Sequence, residues 1–307
     1  MHKYCLIVNP LAGRGSALKA IPQIEAILNG LQLDYDIILT EYPGHAIQLA
    51  KAAGANGYQT VVAVGGDGTA NEVINGLMQD AQEGHLTANL AVLPVGRGND
   101  FSYGMGVPQN LEEACRVLAA ANARLMDVGF VRGGDYPDGR YFGNGVGIGF
   151  DTVVGFEAAK LPKFISGIPA YLIAAVKTIF LYFQAPMLRL DMDGETIEQS
   201  CLLVSLMNGR RMGGSFMFAP DAKQDDGLLN LCIVEGISRW AVLDLFPKVM
   251  SGTQGEHPAT KMPLAKQVKI KALSGSLPVH ADGETICEAG DELEVSILQK
   301  QLQLICE

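Results

Sequence analysis

The chain has 307 residues, with 23 Lys plus Arg against 33 Asp plus Glu, a formal net charge of −10. Apolar residues make up 48% and charged ones 18%, which excludes wholesale disorder. The acidic balance argues against a sequence-blind nucleic-acid binder, and against docking on anionic lipid by charge alone. The length suggests two domains. The 36 glycines point to tight turns, or to backbone that approaches a ligand closely. Six scattered cysteines without a CxxC read as small buried hydrophobes in a reducing cytosol. No secretory signal is visible, and the longest clean apolar run, 168–176, is too short to span a bilayer. A soluble, intracellular protein is expected.

In chain order, residues 4–8 form a short apolar run that stops at Asn9-Pro10. The turn Leu11-Ala12-Gly13-Arg14-Gly15-Ser16 follows, then a helical face of Ile21, Ile24, Ile27, Leu28 and Leu31. Residues 35–39 read as a strand and 45–53 as a helix. The buried strand 60–64 runs into Gly65-Gly66-Asp67-Gly68-Thr69, and the helix 70–78 comes next. The strand 90–93 ends at Pro94-Val95-Gly96-Arg97-Gly98-Asn99-Asp100-Phe101, and 111–121 is helical. Such alternation predicts a parallel sheet with helices on its faces.

Beyond a boundary near 123–127, strand patterns dominate: 125–131, 141–147, 187–192, 201–207, 228–234, 268–272, 279–281 and 293–298. Helical patterns interrupt them at 152–160, 170–183 and 239–250. An antiparallel β domain is predicted. The glycines of 143–149 read as close backbone packing or a bulge. Trp240, on one helical face with Leu243 and Phe246, reads as core.

Five segments could carry chemistry. Gly65-Gly66-Asp67-Gly68-Thr69 sits between a strand and a helix. Glycines there let backbone N–H groups face a phosphate, and the helix N-terminus adds positive potential. Asp67 would repel phosphate unless Mg²⁺ lies between them; the alternative is a turn with Asp as a helix cap. The loop at Gly96–Asp100 should lie on the same sheet edge, where Asn99 and Asp100 could meet a metal or a ribose. The Asn9–Ser16 loop lacks Walker spacing but could offer amides and Arg14. Asp282-Gly283-Glu284 follows an apolar strand; its carboxylate could accept a proton from an attacking alcohol, or the segment is an ordinary hairpin turn. The acidic run Pro220–Gly227, with three acids in six positions, could bind a hard cation together with backbone carbonyls, or could be a solvated loop.

In their joint order these pieces resemble the diacylglycerol kinase catalytic family, in its bacterial soluble lipid kinase branch. They are Asn9-Pro10 with Gly13; Gly65–Thr69 with Asn71-Glu72-Val73; Pro94, Gly96 and Gly98-Asn99-Asp100-Phe101; Gly147-Ile148-Gly149-Phe150-Asp151; Asn208-Gly209; Gly213-Gly214; Pro220-Asp221-Ala222 with Asp226-Gly227-Leu228; and Asp282-Gly283-Glu284. The resemblance implies a nucleotide-binding α/β domain over 1–125, related to the NAD kinase and diacylglycerol kinase fold. A β-sandwich lipid domain over 126–298 would follow, with 299–307 returning to the first domain and the site in the cleft between the two. ATP would touch Asn9, Pro10, Leu11, Ala12, Gly13, Thr40, Gly65, Gly66, Asp67, Gly68, Thr69, Ala70, Asn71, Glu72 and Arg97. Asp67 and Asp100 would serve the catalytic Mg²⁺, and Glu284 would accept the proton of the lipid hydroxyl. A structural Mg²⁺ would take the Asp226 side chain and the carbonyls of Lys223 and Leu228.

Two positions depart from the family pattern. Arg97 stands where relatives usually carry Thr or Ser, and Gly213-Gly214-Ser215 where three glycines are common. The expected activity is ATP- and Mg²⁺-dependent phosphorylation of diacylglycerol or a related lipid alcohol. The expected setting is the cytoplasm, with peripheral contact at the inner face of the membrane, no nucleic-acid partner, and room for a homodimer. The competing readings are an NAD kinase-like kinase of a soluble metabolite, and a non-catalytic nucleotide- or lipid-binding regulator.

Overall fold

The computed structural model describes residues 3–85, 88–162, 165 and 168–307. The chain divides into two compact units, Met1–Val128 with Gln299–Glu307, and Gly129–Leu298.

The first unit alternates strand and helix: β1 (Lys3–Val8), α1 (Ala12–Gly30), β2 (Asp34–Leu39), α2 (His45–Ala53), β3 (Thr60–Gly65), α3 (Asp67–Gln82), β4 (Asn89–Pro94), α4 (Asp100–Gly104), α5 (Leu111–Ala120) and the start of β5 (Ala123–Gly133). The sheet is parallel in the order β2-β1-β3-β4, with Val62 opposite both Leu6 and Ala91. All six residues of β3 are buried, as expected of a central parallel strand covered on both faces. The end of the chain returns beside β4, with Leu304 opposite Leu90. Helices α2 and α3 cross closely because Gly76 has no side chain; a Cβ there would stand 2.3 Å from the Ile47 carbonyl oxygen. Helix α5 begins under its own cap, the Asn110 side chain accepting the N–H groups of Glu112 and Glu113.

The second unit is a β-sandwich faced by helices. Its elements are β6 (Tyr136–Phe142), β7 (Gly145–Gly149), α6 (Phe150–Ala159), α7 (Ile168–Leu181), β8 (Met187–Met192), β9 (Glu195–Met207), β10 (Leu229–Glu235), α8 (Arg239–Ser251), β11 (Thr260–Lys261), β12 (Leu264–Ala265), β13 (Gln267–Ala272), β14 (Leu277–Ala281), β15 (Glu284–Gly290) and β16 (Glu292–Ile305). Strand β9 serves both sheets. Residues 195–200 pair antiparallel with β8, and 201–207 pair with β7 and β10. Phe142, Ile148, Leu190, Leu206, Ile270 and Val295 meet in the core between the sheets. A second core forms where α6, α7 and α8 cover Leu202, Met207, Cys232 and Val234.

Three local expectations change in the structure. The single strand expected over 141–147 is two strands, β6 and β7, broken at Gly143-Asn144. The short helix α4 starts at Asp100, inside what reads as a loop. Trp240 is not core: it is 71% exposed and Leu243 is also exposed, because α8 buries Val242, Leu245 and Val249 instead. All six cysteines are buried free thiols. Burial pushes the Cys232 thiol up to about 12 and that of Cys5 up to about 11, so both stay protonated and unreactive at neutral pH.

Candidate active site

Strands β1, β3 and β4 end side by side, and each delivers a glycine-bearing loop to the same edge of the first unit. At β1, the Asn9 side chain accepts the Leu11 N–H at 3.0 Å, and its carbonyl accepts the Ala12 N–H at 3.0 Å. Gly13, Arg14 and Gly15 then take φ of 57°, 63° and 86°, and the regular helix begins only after them. Three successive left-handed residues explain the spacing of the two glycines. A Cβ on Gly13 would stand 2.4 Å from the Val95 carbonyl oxygen, so this loop lies directly on the loop after β4.

The loops after β3 and β4 are tied more closely still. The Gly65 carbonyl accepts the N–H groups of Val95 at 2.9 Å and Gly96 at 3.0 Å. Gly66 and Gly96 touch backbone to backbone; a Cβ on Gly96 would be 2.4 Å from the Gly66 Cα. Asp67 opens α3, and its Oδ1 accepts the Phe101 N–H at 2.8 Å, which pins the first turn of α4. Asp100 is the first residue of α4, and Asn99 before it is left-handed at φ 53°. The result is a convergence of carboxylates. From the point where a Cβ on Gly98 would sit, Asp67 Oδ2 is 3.0 Å away and Asp100 Oδ2 is 3.6 Å away. Two acidic oxygens that flank one point, with Asp100 buried, suit a hard cation such as Mg²⁺, which takes oxygen ligands. Arg97 is exposed on the same loop.

The residues expected around the nucleotide separate into two sets. Asn9, Pro10, Ala12, Gly13, Gly66, Asp67, Gly68 and Arg97 retain accessible surface on the loop edge, and Leu11 is among the most exposed apolar residues. Thr40 follows β2 there, its N–H donating to the Val8 carbonyl at 2.9 Å. Gly65, Thr69, Ala70 and Asn71 are buried. Thr69 packs over Gly65, and Asn71 Oδ1 accepts the Asn75 amide at 3.1 Å. Both carboxylate oxygens of Glu72 accept backbone N–H groups, from Gly44 and Ala46, each at 3.0 Å. Glu72 therefore caps α2 from another helix, a role its own neighbours in sequence do not announce.

In the second unit, Glu284 opens β15, and its carboxylate pairs with the Arg140 guanidinium at 2.7 Å. Asp282, two residues earlier, is left-handed at φ 49° and buried. Its oxygens accept three backbone N–H groups, from Gly143 at 2.7 Å, Asn144 at 3.0 Å and Gly145 at 2.9 Å. Asn144 and Asn208 complete this knot: the Asn144 carbonyl accepts the N–H groups of Asn208 and Gly209, both at 2.8 Å, and the Asn208 side chain donates to the Gly143 carbonyl at 2.8 Å. Sequence reasoning names Glu284 but gives Asp282 only as a turn residue, and it misses Arg140, which no local pattern marks. In the acidic loop, Asp226 is exposed and its Oδ1 accepts the Leu228 N–H at 3.0 Å. No group of three or more His, Cys, Asp or Glu side chains gathers around a cation site among the described residues. A metal in that loop would depend on backbone carbonyls.

Comparison with known proteins meets the same two units. The diacylglycerol kinase catalytic domain matches residues 3–131. A domain described as the YegS C-terminal NAD kinase beta sandwich-like domain matches residues 144–306. The chain belongs to the diacylglycerol kinase family. It is a kinase, built like the bacterial soluble members of that family. A diacylglycerol kinase of Staphylococcus aureus (strain bovine RF122 / ET3-1) is 29% identical over 279 residues, which cover 91% of this chain and 85% of that protein. The crystal structure of a diacylglycerol kinase from Bacillus anthracis str. Sterne has a TM-score of 0.75 and 25% identity, covering 100% of this chain and 97% of that one. Yeast NADH kinase complexed with NADH shares the fold, with a TM-score of 0.53, 13% identity, and coverage of 100% of this chain and 84% of that one.

Proposed function

We propose that the protein is an ATP- and Mg²⁺-dependent lipid kinase that phosphorylates the hydroxyl of diacylglycerol or a related lipid alcohol, acting as a peripheral protein at the cytoplasmic face of a membrane. The observation that carries this reading is the meeting of Asp67 and Asp100 beside Gly98, where glycine contacts bring two loops together. The donor set fits Mg²⁺, and Asp67 and Asp100 would hold it. When bound, Mg²⁺ neutralises charge on the transferring phosphate oxygens.

The chain's own residues do the rest. The amides of Gly66 and Gly68 and the N-terminus of α3 favour the phosphate groups. Arg97 supplies a positive charge where relatives use a hydroxyl, and it can hold a phosphate oxygen in the same place. Glu284 accepts the hydroxyl proton as the lipid oxygen bonds to the γ-phosphorus and the bond to ADP breaks; an alcohol is too weak an acid to ionise beforehand. Arg140 positions that carboxylate, and Asp282 holds the turn from which it projects. A second, structural Mg²⁺ at Asp226 and the carbonyls of Lys223 and Leu228 belongs to the same proposal.

The test is ADP release with ATP and Mg²⁺ over a panel of lipid alcohols in mixed micelles, with NAD alongside. Turnover with a lipid that disappears in Asp67→Ala is the expected result. Turnover with NAD alone would assign the protein to soluble-metabolite chemistry. ATP binding without turnover of any acceptor would favour a regulator.

A further inference from the structure

Helix α7 is apolar on two faces. Ala174, Ala175 and Ile179 are buried in the helix-side core with Val154 and Val242. The opposite face presents Leu172, Ile173, Val176 and Phe180, of which Phe180 is 54% exposed, and Leu181 is exposed at the helix end. Its sequence, IPAYLIAAVKTIFL, contains one charged residue, Lys177. Packing against the sandwich thus leaves a second apolar face of this helix exposed. Helix α8 extends the patch with Trp240 and Leu243. The rings of Phe180 and Trp240 meet edge to face, 6.4 Å between centroids, over a hollow of about 160 Å³ lined also by Val176, Ile179, Arg239 and Leu243.

The edge of the patch is cationic and aromatic. Arg239 lies over the Phe183 ring at 5.7 Å, and Lys177 lies over the Tyr182 ring at 5.8 Å. Lys177 and Lys160 are both anchored on Glu157, whose side chain is 4% exposed. Lys160, Lys177, Arg239 and Lys248 stand here against two acids, Glu157 and Asp244, a local excess of positive charge in a chain whose net charge is −10. An apolar stripe bordered by cations and by Trp and Tyr is the chemistry of a helix lying in the headgroup region, with aromatic rings at the boundary and cations among anionic headgroups. No helix among the described residues is long and apolar enough to cross a membrane, so the patch can rest on a bilayer but not span it.

We propose that the α7–α8 face docks on a bilayer containing anionic phospholipid, with Trp240 and Phe180 seated at the boundary between headgroups and acyl chains. The surface is argued from its own residues; its purpose, delivery of the kinase to a membrane-borne acceptor, rests on the lipid-kinase reading.

Trp240 is the single tryptophan of the chain and reports on its own environment. Titrating the full chain with phosphatidylcholine–phosphatidylglycerol vesicles should shift its emission to the blue and carry the protein into the vesicle pellet; phosphatidylcholine alone should bind it less. Phe180→Ser, followed by fluorescence, and Trp240→Ser, followed by sedimentation, should each lower partitioning about tenfold, the loss of one large apolar side chain from lipid. Both side chains are exposed, so unfolding midpoints should stay near wild type, and turnover in mixed micelles should survive while turnover in vesicles falls. Unchanged emission with the protein left in the supernatant would overturn the docking surface even if micelle activity is intact. So would an emission shift that follows protein concentration without lipid, alongside dimers in sedimentation velocity, which would give the face to a second copy. Intact vesicle binding with no lipid turnover in micelles would sink the kinase reading and leave the docking surface standing.

Discussion

The two polar centres of this molecule use the same residue pair, aspartate beside glycine, in opposite ways. At the loop edge of the first unit, glycines do the bringing together: Gly66 and Gly96 touch, and Asp67 and Asp100 arrive beside Gly98 as a consequence. At the sandwich turn, the carboxylate does the bringing together: Asp282 gathers three N–H groups of the Gly143–Asn144–Gly145 turn. One centre gathers negative charge, a setting that suits a cation. The other neutralises its charge on backbone donors and works as a brace for Glu284. An aspartate in a glycine-rich stretch is thus not a catalytic sign by itself; what faces it decides.

Substitutions can break this comparison. Asp67→Ala should have the largest effect on activity, a fall in turnover of about 10²–10³-fold or more, with a stability loss of only about 1 kcal/mol from the Phe101 N–H that loses its acceptor; a fold lost along with the activity would make Asp67 a brace like Asp282. Asp282→Ala should do the reverse, lowering stability by about 3 kcal/mol in denaturant unfolding because three N–H groups lose their acceptor. A variant as stable as wild type would refute that role. Glu284→Gln should reduce kcat about 10²-fold while ATP affinity, measured by calorimetry, barely moves; an undiminished kcat removes the proton-acceptor assignment.

Smaller effects sharpen the contrast between crowded and open glycines. Gly96→Ala should destabilise by about 2 kcal/mol, since its Cβ meets the Gly66 Cα. Gly68→Ala, with nothing within 4 Å of the added Cβ, should fall within about 0.5 kcal/mol of wild type in the same unfolding assay. The smallest effect concerns pH. Hydrogen bonds first from Lys160 and then from Lys177 hold the Glu157 carboxyl below its ordinary value of 4.5. A carboxyl depressed in the folded state stabilises above its unfolded pKa and loses that contribution as pH falls through the folded value. Glu157→Gln should therefore melt a few degrees lower at neutral pH, and the difference should close as the medium is acidified below 4.5. A constant gap across that range would rule out the ionic origin.

Much of the fold is legible because its signals are local. Strand and helix alternation up to about residue 120 follows from hydrophobic period, and the glycine loops follow from where strands end. The pairing of the loops after β3 and β4 is legible in outline, since consecutive parallel strands deliver their loops to one edge. The order of motifs, read together, carries the family. What the sequence left open is who meets whom across long separations. Arg140 reaches Glu284, Glu72 caps α2, and Asp282 holds a turn 137 to 139 residues earlier; no spacing rule connects such partners. Trp240 shows the same divide from the apolar side. Periodicity determines that a helix has an apolar face, but only the packing of α7 and α8 on the sandwich decides which face is covered, because coverage is a property of the neighbours and not of the helix.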